Sequence, residues 1–146
     1  MLEAGETNTS IGTLDKLARA LGTDFTTLAA IRPVPTLTPE TTRAIDPAWE
    51  DGRGSRAHLL DSRTDPRIVE FWQWELVRGA RYDADPDPPG SEELVLVYSG
   101  HLTVEVGQDR YSLKSGEHLR LPTDAPIAYV NSGRSAARFD RLIVIP

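Results

Sequence analysis

The chain has 146 residues, a formal net charge of −6 and no cysteine. That length accommodates one well-cored domain and a small appendage. The negative balance argues against non-specific nucleic-acid binding by the chain as a whole, and the lack of cysteine excludes disulfides, thiolate metal sites and a cysteine nucleophile.

Residues 1–30 predict two short amphipathic helices. Ile11, Leu14, Leu17, Ala18 and Leu21 recur at helical spacing, with Asn8 as N-cap and Gly22 as the stop. Asp24 caps a second helix carrying Phe25 and Leu28. Helices this short are marginal alone, so their apolar stripe is expected to pack on a sister chain or on the rest of the molecule. Residues 31–47 hold Pro33, Pro35, Pro39 and Pro47 and read as a semi-rigid linker, because proline at this density blocks helix and central strand alike. From residue 48 to 146 the texture becomes that of short strands, predicted over 57–60, 67–77, 94–98, 102–106, 110–113, 118–121, 127–131 and 137–145. Turn residues such as Arg78-Gly79, Pro88-Pro89-Gly90, Ser99-Gly100 and Ser115-Gly116 separate them. Many short strands with glycine and proline turns mean a sandwich or a barrel. No apolar run approaches a membrane span and the first residues lack a signal-peptide pattern, so a cytoplasmic protein without a membrane partner is expected.

The run Leu2-Glu3-x-Gly5, Asn8-x-Ser10, Thr13-Leu14-x-Lys16-Leu17-Ala18-x-Ala20-Leu21-Gly22 resembles the back half of an XRE-family helix-turn-helix domain. The two preceding helices and most of the recognition helix have no counterpart in the sequence. The resemblance therefore implies a regulator that reads specific DNA only if an N-terminal extension exists, with Lys16 and Arg19 giving at most weak phosphate contact. In the strand-rich part, Glu93 is followed after six residues by Gly100. Gly116 is followed after five by Pro122, and Asn131 comes nine residues later. These spacings resemble the two cupin motifs, and a helix-turn-helix followed by a cupin domain is a pairing found in bacterial regulators. The resemblance implies a mainly β chain: a cupin-type double-stranded β-helix, or jelly-roll barrel, preceded by a short helical helix-turn-helix remnant.

Cupin enzymes hold a divalent metal through His-x-His, a Glu and a later His. Here Glu93 fills the Glu position, but Asp85–Gly90 contains no histidine and the later position is Ile127. No metal or other cofactor is expected, since His58, His101 and His118 lie elsewhere and Asp85 or Asp87 reads better as part of a stiff solvated loop. What remains is a ligand pocket. Candidate lining residues are Trp72, Trp74, Glu93, Val95, Val97, Leu119, Leu121, Ile127, Tyr129 and Arg141, a mixture of apolar wall and few polar groups suited to a small organic effector. For the aliphatics among them, plain core packing is the better reading. The sequence has no glycine-rich phosphate loop, Gly-x-Ser-x-Gly elbow or His-Glu-x-x-His. The expected function is a ligand-sensing, homodimeric transcriptional regulator and not an enzyme. The alternative is a small metal-independent cupin isomerase or lyase, with Glu93 or Tyr129 as general base.

Overall fold

A computed structural model of the chain describes Lys16, Ala20 and residues 39–42, 46–64 and 66–146. The chain divides into two compact units, Met1–Glu40 and Thr41–Pro146. Most of the helix pair expected over 1–30, Arg19 included, lies outside the described residues; Lys16 and Ala20 are helical and exposed. Among the described residues, no helix is long and apolar enough to cross a membrane.

The described residues of the second unit form ten strands: β1 (Trp49–Glu50), β2 (Arg56–Arg63), β3 (Ile68–Leu76), β4 (Arg81–Ala84), β5 (Glu92–Ser99), β6 (His101–Val106), β7 (Asp109–Lys114), β8 (His118–Pro122), β9 (Ile127–Val130) and β10 (Ala137–Ile145). They form a six-stranded sheet in the order β1-β2-β3-β10-β5-β8 and a four-stranded sheet in the order β4-β9-β6-β7. The strand pairs are antiparallel. The mainly β, cupin-like expectation holds, but the closed barrel does not. The two sheets stay separate, and the edges β1 and β4 are two and four residues long, too short to carry a ladder around. Neither was predicted, because runs this short show no period.

Alternation builds the core. In β5, Glu93, Val95 and Val97 are buried while Leu94, Leu96 and Tyr98 face outward. In β10, Ala137, Phe139, Arg141 and Ile143 are buried. Val95, Val97 and Phe139 join Leu102, Val104, Leu113, Ile127 and Tyr129 from the facing sheet in one apolar cluster. Gly100 turns β5 into β6 with a φ of +79°, and a Cβ there would stand 2.3 Å from the Ala136 carbonyl oxygen, so only glycine fits. Asn131 is fully buried and fully used. Its Nδ2 donates to the carbonyls of Leu76 and Ser135, both at 2.8 Å, and its Oδ1 accepts from Gly133 N at 2.9 Å. One amide thus ties the end of β3 to the turn that precedes β10.

Candidate functional site

The inner face of the six-stranded sheet carries a buried charge. Arg141 on β10 and Glu93 on β5 are diagonal neighbours across the strand pair, since Arg141 stands opposite Val95 and Ile143 opposite Glu93. The Arg141 guanidinium donates to Glu93 Oε2 from Nε at 2.9 Å and from Nη2 at 2.6 Å. The other carboxylate oxygen accepts a hydrogen bond from the Tyr129 phenol on β9, so the cluster joins the two sheets. Arg141 Cζ also lies 4.3 Å from the Tyr129 ring centroid and 5.4 Å from that of Trp74. Burial alone would pull the guanidinium pKa down, but Tyr129 and Glu93 outweigh it and the net shift is upward. Burial pushes the Tyr129 phenol well above its ordinary range, with Arg141 opposing and Glu93 assisting, so the phenol stays a neutral donor.

Above this cluster lies a cavity of about 250 Å³ lined by Trp49, Glu70, Trp72, Trp74, Tyr82, Ala84, Asp85, Asp87, Thr123, Ile127, Arg141 and Ile143. Period-two alternation puts Glu70, Trp72 and Trp74 of β3 on one face. The Trp72 indole N–H donates to Glu70 Oε2 at 2.8 Å and fixes that carboxylate. Trp49, Trp74 and Tyr82 form an aromatic corner with centroid separations of 4.4–5.3 Å. The proline-stiffened loop after β4 supplies Asp85 and Asp87. It is pinned by Asp87 N donating to the Thr123 carbonyl at 2.8 Å and Thr123 N donating to that of Ser91 at 3.0 Å. Two wall residues keep a buried polar atom without a hydrogen-bond partner: Trp74 Nε1 and Thr123 Oγ1.

The structure brings four of the sequence-chosen residues, Trp72, Trp74, Ile127 and Arg141, onto the cavity wall. Glu93 and Tyr129 do not line the cavity and lie against its wall residue Arg141. Val95, Val97 and Leu121 do not line it. They are 0%, 0% and 5% exposed in the core, with Leu119 packed against the same cluster, because β5 and β8 lie beyond β10, past the strands that wall the cavity. Sequence reasoning missed Trp49, Glu70, Tyr82, Ala84, Asp85, Asp87, Thr123 and Ile143. Continuing the period-two face of Trp72 and Arg141 by one step reaches Glu70 and Ile143; the rest come from short edge strands and loops.

The side chains present do not fit the divalent metal of cupin enzymes. Both oxygens of Glu93 are already engaged by Arg141 and Tyr129, and Ile127 offers no donor atom. A metal ion at that carboxylate would stand against a guanidinium that cannot discharge. Among the described residues, no three His, Cys, Asp or Glu side chains converge as ligands.

No protein-family model matches the chain, and no curated protein matches it significantly. Solved structures do. The chain is similar to the Cupin_2 domain of an XRE-family transcriptional regulator from Enterobacter cloacae, at 29% identity over 53% of this chain and 82% of that one, with a TM-score of 0.52. It is similar to an HTH_3-family transcriptional regulator from Vibrio cholerae at 22% identity, over 99% of this chain and 76% of that one, with a TM-score of 0.63. A predicted oxalate decarboxylase from Thermotoga maritima aligns at 14% identity over 63% of this chain and 81% of that one, with a TM-score of 0.52. The β-unit therefore has a cupin-like fold, one found in transcriptional regulators and in at least one predicted enzyme.

Proposed function

We propose that this chain is the sensor of a ligand-responsive transcriptional regulator, in which the metal-free cupin-like cavity binds a small organic effector. The observation that carries this reading is the cavity itself: aromatic walls with a few polar and charged groups in a two-sheet cupin-like fold. The likeness to a regulator's cupin domain and an alignment to a second regulator over 99% of this chain support the regulatory half. The enzyme alternative fits less well. Its candidate bases, Glu93 and Tyr129, are 1% and 0% exposed, both are committed to the Arg141 cluster, and neither lines the cavity.

A second copy of the chain is the proposed partner. Phe71, Leu142 and Leu94 stand opposite one another on β3, β10 and β5, and with Leu96 and Tyr98 they leave an apolar row on the outer face of the larger sheet. Such rows are unusual on a monomer. A face-to-face two-fold pairing would cover both copies of it. Light scattering of wild type and Leu142→Glu tests this part, with a dimer expected for the first and a monomer for the second. The regulatory reading is tested by transcript profiling of a deletion strain complemented with wild type or with Ala84→Trp, which fills the cavity. Expected is a small set of transcripts restored by wild type and locked in one state by the variant. An unchanged transcript profile on deletion would overturn it.

A further inference from the structure

The effector reading leaves the ligand's chemistry open, and the cavity wall narrows it. Its charges are lopsided: Glu70, Asp85 and Asp87 contribute three carboxylates against one guanidinium, and Arg141 is already neutralised by Glu93 at 2.6 Å. The opening is therefore electronegative. All three tryptophans of the chain, Trp49, Trp72 and Trp74, stand in this wall beside Tyr82. Aromatic faces attract a cation that sits within about 6 Å of their centroids, and most strongly one with a weakly held hydration shell. Arg141 already uses this attraction at Trp74 and Tyr129. The faces of Trp49, Trp72 and Tyr82 are left to a ligand. The volume, about 250 Å³, lies at the small end for ligand sites and admits only a compact molecule.

We infer that the cavity binds a small organic cation, an alkylammonium or quaternary ammonium compound. Its cationic group sits among Trp49, Trp72 and Tyr82 with Glu70, Asp85 and Asp87 as counter-charges. The inference rests on the effector-binding reading of the same cavity.

The test uses the full chain, whose tryptophans all report on this wall. Choline, glycine betaine and tetramethylammonium are titrated against tryptophan emission and by calorimetry, beside the uncharged choline isostere 3,3-dimethylbutan-1-ol and the anion succinate. Saturable emission changes with choline or betaine are expected, with binding to the uncharged isostere weaker by about tenfold or more. Asp85→Asn combined with Asp87→Asn, at the solvent-facing rim where the fold is not at risk, is expected to weaken choline by about three- to tenfold. Equal affinity for choline and its isostere, or binding of succinate alone, overturns the cation assignment and leaves the effector site standing. Silence of the tryptophans towards all five compounds overturns the cation assignment as well. The transcript experiment then decides the effector reading separately.

Discussion

Removing the guanidinium from the sandwich is the most informative perturbation of the fold. Arg141 is 5% exposed and Glu93 1%, so Arg141→Met leaves a carboxylate inside the protein with only the Tyr129 hydroxyl for company. Stripping one partner from a buried ion pair costs about 3–5 kcal/mol, most of it the desolvation of the charge left behind. A domain of this size has about 5–15 kcal/mol in total, so the variant should lose about a fifth of its stability or more. With roughly 4–8 °C per kcal/mol for a domain near 100 residues, melting should fall by at least about 12 °C. Glu93→Gln should be equally damaging, because the guanidinium cannot shed its charge. The triple variant Glu93→Leu, Tyr129→Phe, Arg141→Met removes the whole cluster and leaves nothing polar unpaired. It should lie within about 2 kcal/mol of wild type, as buried charges replaced together by apolar groups usually do. Urea unfolding followed by tryptophan emission measures all four proteins. A loss below about 1 kcal/mol for Arg141→Met, or a triple variant as unstable as the sum of the singles, would refute the reasoning that this cluster is one coupled buried unit.

Three further expectations concern the frame around the cavity. Asn131→Ala should cost about 2–4 kcal/mol in thermal melting, since it orphans the buried Leu76 carbonyl as well as deleting bonds to Ser135 and Gly133. Asn131→Asp should be no better, because a carboxylate would face two carbonyl oxygens. Gly100→Ala should cost more than the roughly 1–2 kcal/mol of left-handed backbone alone, given the Ala136 oxygen 2.3 Å from the new methyl, and soluble yield or melting will show it. Burial raises the Asp140 carboxyl pKa, with a hydrogen bond from Gln73 opposing. The unfolded chain then gives up this proton more readily than the fold, so the group's contribution is intact below the unfolded pKa and lost as pH rises through the folded one. Asp140→Asn should therefore be more stable than wild type at pH 7, with the gap closing on acidification; a constant gap in urea midpoints across that range would contradict the linkage.

Much of this fold is legible in the sequence because its central strands alternate strictly. Glu93, Val95 and Val97 share a face of β5, and Phe139, Arg141 and Ile143 share one of β10. The Gly100 turn is readable for the same physical reason that fixes it, a backbone approach no side chain survives. The candidate site is only half legible. Period two says that Glu93, Val95 and Val97 point inward, but not which strands the cavity spans. Its wall on the larger sheet comes from β1, β3 and β10, and β5 lies just beyond β10. Arg141 shows the same limit: a charge within an apolar strand marks either a mouth or an outer face, and the structure puts it on the wall with its charge spent on Glu93. Trp49 and Tyr82 come from strands of two and four residues, and Asp85, Asp87 and Thr123 from loops that meet only once the sheets have closed over each other.

A carboxylate inside a sheet sandwich requires a positive partner there. The resemblance to metal-binding cupins puts Glu93 at a ligand position, and in this chain β10 supplies the cation covalently as Arg141. One consequence follows for stability: the interior charge balances with nothing bound, so the sandwich does not depend on loading. Another follows for recognition. With Arg141 and Glu93 cancelling, the field in the cavity is set by Glu70, Asp85 and Asp87, which stand on β3 and on the loop beyond β4. The core's charge balance and the cavity's field thereby reside in different side chains. Charge at the rim can change without disturbing the core, whereas any change to Glu93, Tyr129 or Arg141 is felt first as a loss of folding and only then as a change in what the cavity accepts.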